Sequence, residues 1–206
     1  MRQALRSFSS SLLLTALAAA VFALPAMAEG PAVGQPAPEF TAKNLEGKAV
    51  KLSDLKGKIV VLEWTNPGCP FVQRQYSKAA LGSLQKEYTD KGVVWLVINS
   101  TNKEHRDFRE AAELKKVYEG WKSAYSDMLL DPEGALGKLY DARTTPHMFI
   151  IDAKGLLRYA GAIDDDPRGT KESGRINYVR LAIDALTAGK DVATTSTTPY
   201  GCSVKY

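Results

Sequence analysis

The chain has 206 residues, a formal net charge of +4 at neutral pH, and charged residues spread without a basic run. Such a small, dispersed excess argues against nucleic acid as a partner. Only two cysteines are present, Cys69 and Cys202, with no Cys-x-x-Cys, so zinc-finger, haem-attachment and iron–sulfur motifs are excluded.

Residues 1–28 read as a secretory signal peptide. Arg2 and Arg6 give a positive start, Leu12 to Leu24 is apolar, and Ala26-Met27-Ala28 is a small-x-small cleavage site. The apolar run is too short for a comfortable membrane span. Cleavage after Ala28 removes two arginines and no acids, so the charge falls from +4 to +2. The expected product is a periplasmic protein with no membrane attachment after cleavage, built as one domain over 29–190 and a tail over 191–206.

In chain order, the Pro/Gly-rich stretch 29–38 reads as an extended arm. Glu39 to Thr41 and Ala49 to Leu52 read as short strands about the Asn44–Gly47 turn. Lys58 to Glu63 is rich in β-branched residues without strict alternation, the pattern of a strand covered on both faces. From Pro70 to about Tyr88, apolar residues at spacings of three and four predict a helix: Val72, Tyr76, Ala79, Ala80, Leu84 and Tyr88. Gly92 to Ile98 predicts a second buried strand, and Lys103 to Tyr118 a charged amphipathic helix. A short strand follows at Asp127 to Leu130, then a short helix at Gly134 to Tyr140. His147 to Asp152 and Leu156 to Gly161 predict a hairpin, and Asn177 to Ala188 a last helix ended by Gly189. Parallel strands with a crossover helix in the first half and an antiparallel pair in the second give an α/β fold with a mixed sheet.

The chemistry centres on Cys69. It stands between Trp64-Thr65-Asn66-Pro67-Gly68, a loop leaving a buried strand, and Pro70, a residue favoured at the first helical position. A helix N-terminus stabilises a thiolate, the form that attacks disulfides and peroxides. An inert buried cysteine is the plain alternative. Thr144-Thr145-Pro146 precedes the strand at His147, and a cis peptide at Pro146 would face its backbone toward Cys69. Eleven residues separate Lys190 from Cys202, a reach of at most ~36 Å at ~3.3 Å each. Cys202 is thus able to serve as a resolving thiol, as a permanent staple, or as an independent thiol. Gly201 would let the backbone come close.

Other residues read more plainly. His147 is a candidate proton donor or, with Cys69 and Met148, a copper ligand; a packed histidine is the simpler reading. His105 reads as solvated on its helix. Asp164-Asp165-Asp166 lacks the spacing of a calcium loop and reads as a solvated turn. Asn99-Ser100-Thr101 fits a glycosylation sequon.

These motifs resemble the thioredoxin fold, and the longer pattern is similar to the redoxin family of alkyl hydroperoxide reductases and thiol-specific antioxidants. The pattern includes Val33 to Phe40, Leu52 to Lys58 and Ile150 to Gly155. The Asn66-Pro67-Gly68-Cys69-Pro70 loop and the Gly201-to-Tyr206 ending are similar to an exported peroxiredoxin-like subgroup. The resemblance implies an oxidoreductase with no cofactor, acting on a peroxide or a protein disulfide and reset by a thiol electron donor. It implies Cys69, Cys202 and Pro146 as catalytic residues. Trp64, Asn66, Pro67, Gly68, Pro70, Thr145 and His147 would line the substrate groove. Two departures stand out. Val72 occupies the second cysteine place of thioredoxins, and Thr65 is one residue too far from Cys69 for the peroxiredoxin threonine. Arg74 and Arg143 are the candidates for the peroxiredoxin arginine. A fold that kept its shape as a binding module without turnover is the rival reading.

Overall fold

The computed structural model describes residues 30–206 apart from 78, 79 and 172, so the expected signal peptide lies outside the described residues. Its centre is β3 (Val60–Trp64), in which all five residues are buried. Alternation splits them between two layers. Val61 and Glu63 face one side, Val60, Leu62 and Trp64 the other. Parallel β4 (Val94–Asn99) lies on one flank and antiparallel β7 (His147–Ile151) on the other.

The seven-stranded sheet runs β2-β1-β5-β4-β3-β7-β8. Here β1 is Thr41–Asn44, β2 is Ala49–Lys51, β5 is Asp127–Leu130 and β8 is Leu157–Gly161. A pair of two-residue strands, β6 (Thr144–Thr145) and β9 (Cys202–Ser203), stands apart from it. One sheet face is covered by α1 (Pro70–Ser77), α2 (Ala80–Thr89), α3 (Ala111–Gly120) and α5 (Tyr178–Thr187), through Val72, Leu84, Tyr118 and Ile183 among others. The other face packs on Phe40, Leu52 and the short helix α4 (Ala135–Leu139), with Trp64, Tyr140 and Phe149 in mutual aromatic contact. This is the mixed-sheet, thioredoxin-like arrangement that the motifs implied. No helix of the described residues is long and apolar enough to cross a membrane.

Several expected boundaries move. The first strand begins at Thr41, because residues 34–37 run as an arm against β8, with Leu157 N–H donating to the Gln35 carbonyl. The helix expected over Pro70 to Tyr88 is described as α1 and α2 on either side of residues 78 and 79. The helix expected from Lys103 begins only at Ala111. Asn102 Oδ1 accepts from Glu104 N–H and His105 Nδ1 from Asp107 N–H, so side chains satisfy the backbone in turns instead. His105 therefore sits in a loop and not on a helix. The Asp164–Asp166 turn is not solvated. Asp164 and Asp166 are buried, Asp166 accepting the N–H groups of Thr170 and Lys171.

The tail runs as an irregular segment packed against the end of β8, with Ala193 to Ser196 exposed. Its Thr197 hydroxyl accepts from Ala162 N–H, and Ala160 exchanges backbone hydrogen bonds with Thr195 and Thr197. Asn99, the sequon asparagine, is buried at the end of β4.

Candidate active site

Cys69 caps α1. Its carbonyl accepts from Gln73 N–H at 3.0 Å, the first hydrogen bond of the helix, and Pro70 follows with no donor to satisfy. Asn66 shapes the loop before it. Its Oδ1 accepts from Gly68 N–H at 2.7 Å, its Nδ2 donates to Thr101 Oγ1, and its carbonyl accepts from Cys69 N–H. The Pro67 carbonyl takes the Gln73 side chain at 2.8 Å. Gly68 sits close under Asp107: a Cβ there would stand 2.8 Å from the Asp107 carboxyl carbon, so that side chain would have to move.

The Thr145–Pro146 peptide bond is cis. Cys69 Sγ lies 3.0 Å from the Thr145 carbonyl oxygen. On the same edge, Thr145 pairs with Cys202 and Thr144 with Ser203 in antiparallel register. The two Sγ atoms are 2.7 Å apart, across 133 residues of sequence. Both are free thiols in this structure. A bond of about 2.05 Å needs only a small closing motion from there.

Two tyrosines hold Cys202 in place. Tyr200 donates to Asp164, accepts from Gln75 Nε2 at 3.0 Å, and packs on Phe71. Tyr206 donates to the Ala142 carbonyl at 2.6 Å, and its ring fills the space above Gly134 and Gly137. Between them, Val204 N–H donates to the Arg143 carbonyl and Asn102 N–H to the Lys205 carbonyl.

The two sulfurs differ electrostatically. Burial pushes the Cys69 thiol up, but the Cys202 thiol and the backbone N–H groups of Val72 and Cys202 outweigh it and hold Cys69 below its usual value. Cys202 is pushed up to about 12, first by burial, then by its bond to Cys69 and the charge there, with Asp107 adding to the effect. These opposite shifts leave Cys69 the more acidic thiol of the pair.

The remaining expected residues fall into place unevenly. Asn66, Pro67, Gly68, Pro70 and Thr145 do surround Cys69. Trp64 does not line a groove: it is fully buried on the opposite sheet face, donating to Ser100 Oγ at 3.1 Å. His147 sits opposite Trp64 in the β3–β7 register and 4.4 Å from the Phe149 ring, so it too points away from Cys69. Its Nδ1 accepts from Arg143 N–H, and burial lowers its pKa to about 4. That placement removes the copper reading built on Cys69 and His147. Among the described residues no three His, Cys, Asp or Glu side chains form a metal-ligating group. Arg74 donates to the carbonyl of Pro167, and Arg143 pairs with Asp141 at 2.5 Å, so both guanidinium groups are engaged away from Cys69. Thr65 Oγ1 is bonded to Tyr118 Oη, 2.6 Å away.

The sequence reading passed over Glu63. It is fully buried beneath the loop and accepts from Tyr76, Gln85 and Trp95 at 2.7–3.0 Å. A lone acid in an otherwise apolar strand was the available signal.

Residues 33–160 match the AhpC/TSA family, more than half of the chain. The chain belongs to the AhpC/TSA family. It is 30% identical over 128 residues to the thioredoxin-like protein YneN of Bacillus subtilis, covering 61% of this chain and 68% of that one. It is 28% identical over 165 residues to the thiol:disulfide interchange protein DsbE of Vibrio cholerae, with 78% and 82% covered. Peroxiredoxin Bcp of Bacillus subtilis is 25% identical over 166 residues, with 78% and 96% covered. Among solved structures, an uncharacterized conserved protein of Geobacillus kaustophilus superposes with a TM-score of 0.75 at 31% identity, covering 85% of this chain and 92% of that one. The AhpC/TSA chain described here is thus of the thiol oxidoreductase kind.

Proposed function

We propose that this protein is an exported thiol–disulfide oxidoreductase in which Cys69 is the nucleophile and Cys202 the resolving thiol. The carrying observation is the 2.7 Å approach of the two sulfurs, made by a tail strand paired to the residue before cis-Pro146. In the forward half-reaction the Cys69 thiolate attacks one sulfur of a substrate disulfide and expels the other as a thiolate. Cys202 then displaces the substrate from Cys69, leaving a reduced substrate and a Cys69–Cys202 disulfide. A thiol donor resets the pair.

A protein disulfide fits this site better than a peroxide. The guanidinium groups of Arg74 and Arg143 are engaged with Pro167 and Asp141, and Thr65 is spent on Tyr118. The likeness to Bcp keeps peroxide as the comparison substrate. Export rests on the leader pattern of residues 1–28 together with a disulfide chemistry suited to an oxidising compartment.

The test is turnover of a disulfide-bonded protein substrate and of hydrogen peroxide by wild type, Cys69→Ser and Cys202→Ser. Cys69→Ser abolishes both activities. With the disulfide substrate, Cys202→Ser stops after one turnover and accumulates a mixed disulfide on Cys69. Undiminished activity of Cys69→Ser refutes the assignment, and multiple turnovers of Cys202→Ser refute the resolving role.

A further inference from the structure

We propose that the end of the sheet remote from Cys69 carries a phosphate-binding pocket rimmed by lysines from four separate turns. The ligand class is a phosphate-bearing anion, whether a soluble phosphate or an anionic phospholipid headgroup. The site stands independently of the chemistry at Cys69.

Topology gathers the turns. Strands β4, β3, β7 and β8 are neighbours in that order. β4 runs parallel to β3, β7 antiparallel to β3, and β8 antiparallel to β7. The starts of β3, β4 and β8 and the end of β7 therefore share one end of the sheet. Cys69 follows the opposite end of β3. Gly57-Lys58 leads into β3, Lys91-Gly92 into β4, and Lys154-Gly155 joins β7 to β8. Gly189-Lys190 follows α5. Each turn thus sets a lysine beside a glycine, and the four glycines have φ between +67° and +87°.

Lys58, Lys91, Lys154 and Lys190 line one pocket of about 520 Å³. All four are exposed. Ile59, Val93 and Leu186 line the same pocket and pack on the core, so a cationic rim surrounds an apolar floor.

The charges there do not cancel. The two acids of the pocket, Asp152 and Asp191, are both held by Arg158, at 3.1 and 2.6 Å. Asp152 also accepts the N–H groups of Lys154 and Leu156. Lys91 pairs with Glu87 at 3.0 Å. Among the described residues Lys58, Lys154 and Lys190 have no ion pair within 4.0 Å. Nor do these lysines serve to cap helices. The carbonyls of Tyr88, Ala185 and Leu186, ending α2 and α5, already accept from the N–H groups of Lys91, Lys190 and Gly189.

Three unpaired ammonium groups about one pocket suit an anion of more than one charge. A phosphate monoester carries about −1.5 to −2 at pH 7. Planar carboxylates are matched best by a free arginine fork, and Arg158 is already spent, whereas lysines bind phosphate as point charges. The pocket's glycine N–H groups donate within their turns, Gly57 to Ala153, Gly92 to Thr89 and Gly189 to Leu186. Recognition therefore falls to the lysines.

Sodium phosphate is titrated into the ¹⁵N-labelled protein at constant ionic strength made up with sodium chloride. The amides of Gly57, Gly92 and Gly189 are expected to shift to saturation. In parallel, the protein is sedimented with vesicles of phosphatidylglycerol or of phosphatidylcholine. Sedimentation with phosphatidylglycerol alone, reversed by phosphate, identifies a lipid headgroup as the source. Saturating shifts without sedimentation identify a soluble phosphate. Lys154→Glu with Lys190→Glu is expected to weaken whichever binding is seen by about tenfold or more. Lys58→Ala alone is expected to weaken it severalfold, so the outcome does not hang on one variant. Binding of neither probe overturns the proposal. So does binding that all of these substitutions leave unchanged, or glycine shifts that sodium chloride alone reproduces.

Discussion

Glu63 and His147 sit on opposite faces of the same strand pair, and burial shifts their protons in opposite directions. Burial raises Glu63 from 4.5 to about 7, against the three hydrogen bonds it accepts. Its contribution to stability is complete below pH 4.5 and is lost as pH rises through 7. Burial lowers His147 from 6.5 to about 4. Its contribution is complete above pH 6.5 and is lost as pH falls through 4. Each amounts to about 3 kcal/mol across its window, at about 1.4 kcal/mol per pKa unit. The two therefore nearly cancel between pH 4.5 and 6.5. Urea unfolding of Glu63→Gln is expected to show stability rising with pH there, and of His147→Asn to show it falling. Parallel slopes in the two variants would contradict the opposed assignment. Gly201 makes a sharper single-residue test. Its φ is +141°, and a Cβ would stand 2.1 Å from the Thr145 carbonyl oxygen. Gly201→Ala is expected to lift the tail and slow Cys69–Cys202 disulfide formation at least tenfold, read by maleimide trapping after an oxidant pulse.

At the scale of elements, α5 is capped by Asn177, whose side chain accepts from Arg180 N–H at 2.9 Å. Asn177→Ala is expected to cost about 1 kcal/mol in urea unfolding without altering thiol reactivity, since α5 carries no group of the site. Both ends of that helix were readable, from an asparagine cap and a glycine stop. β3, β4 and β7 were readable too, because runs rich in Val and Ile fit strands buried on both faces. The helix assigned from Lys103 was not there. Its charge pattern is helical, but Asn102 and His105 capture neighbouring N–H groups locally. Strand β9 had no periodicity to read, being two residues whose partner, Thr144–Thr145, lies far earlier in the chain, with Thr145 opposite Cys202 and Thr144 opposite Ser203. The site divides similarly. Cys69 and Pro146 followed from local chemistry, turn before helix and proline before strand. Tyr200 and Tyr206 could not, since an anchor is defined by its pocket, and those pockets are built by Asp164, Gln75, Gly134 and Gly137.

For the molecule as a whole, the Cys69–Cys202 bond would close a loop of 133 residues that takes in most of the sheet and all five helices. Closing so long a loop restricts the unfolded chain strongly, by about 4–5 kcal/mol in the chain-entropy account. Folding and oxidation are then linked, because the folded state is what brings the sulfurs together. The same free energy that stabilises the oxidised fold makes the disulfide harder to reduce in the folded protein than in the unfolded one. The reset step must overcome that preference. Urea unfolding of the oxidised protein is therefore expected to show up to about 4 kcal/mol more stability than that of the reduced protein. Cys202→Ser should behave as the reduced protein under both conditions. An oxidised wild type no more stable than this variant would mean that the tail is bonded to a chain that does not need it, and that the 2.7 Å approach of the sulfurs has no part in holding the fold.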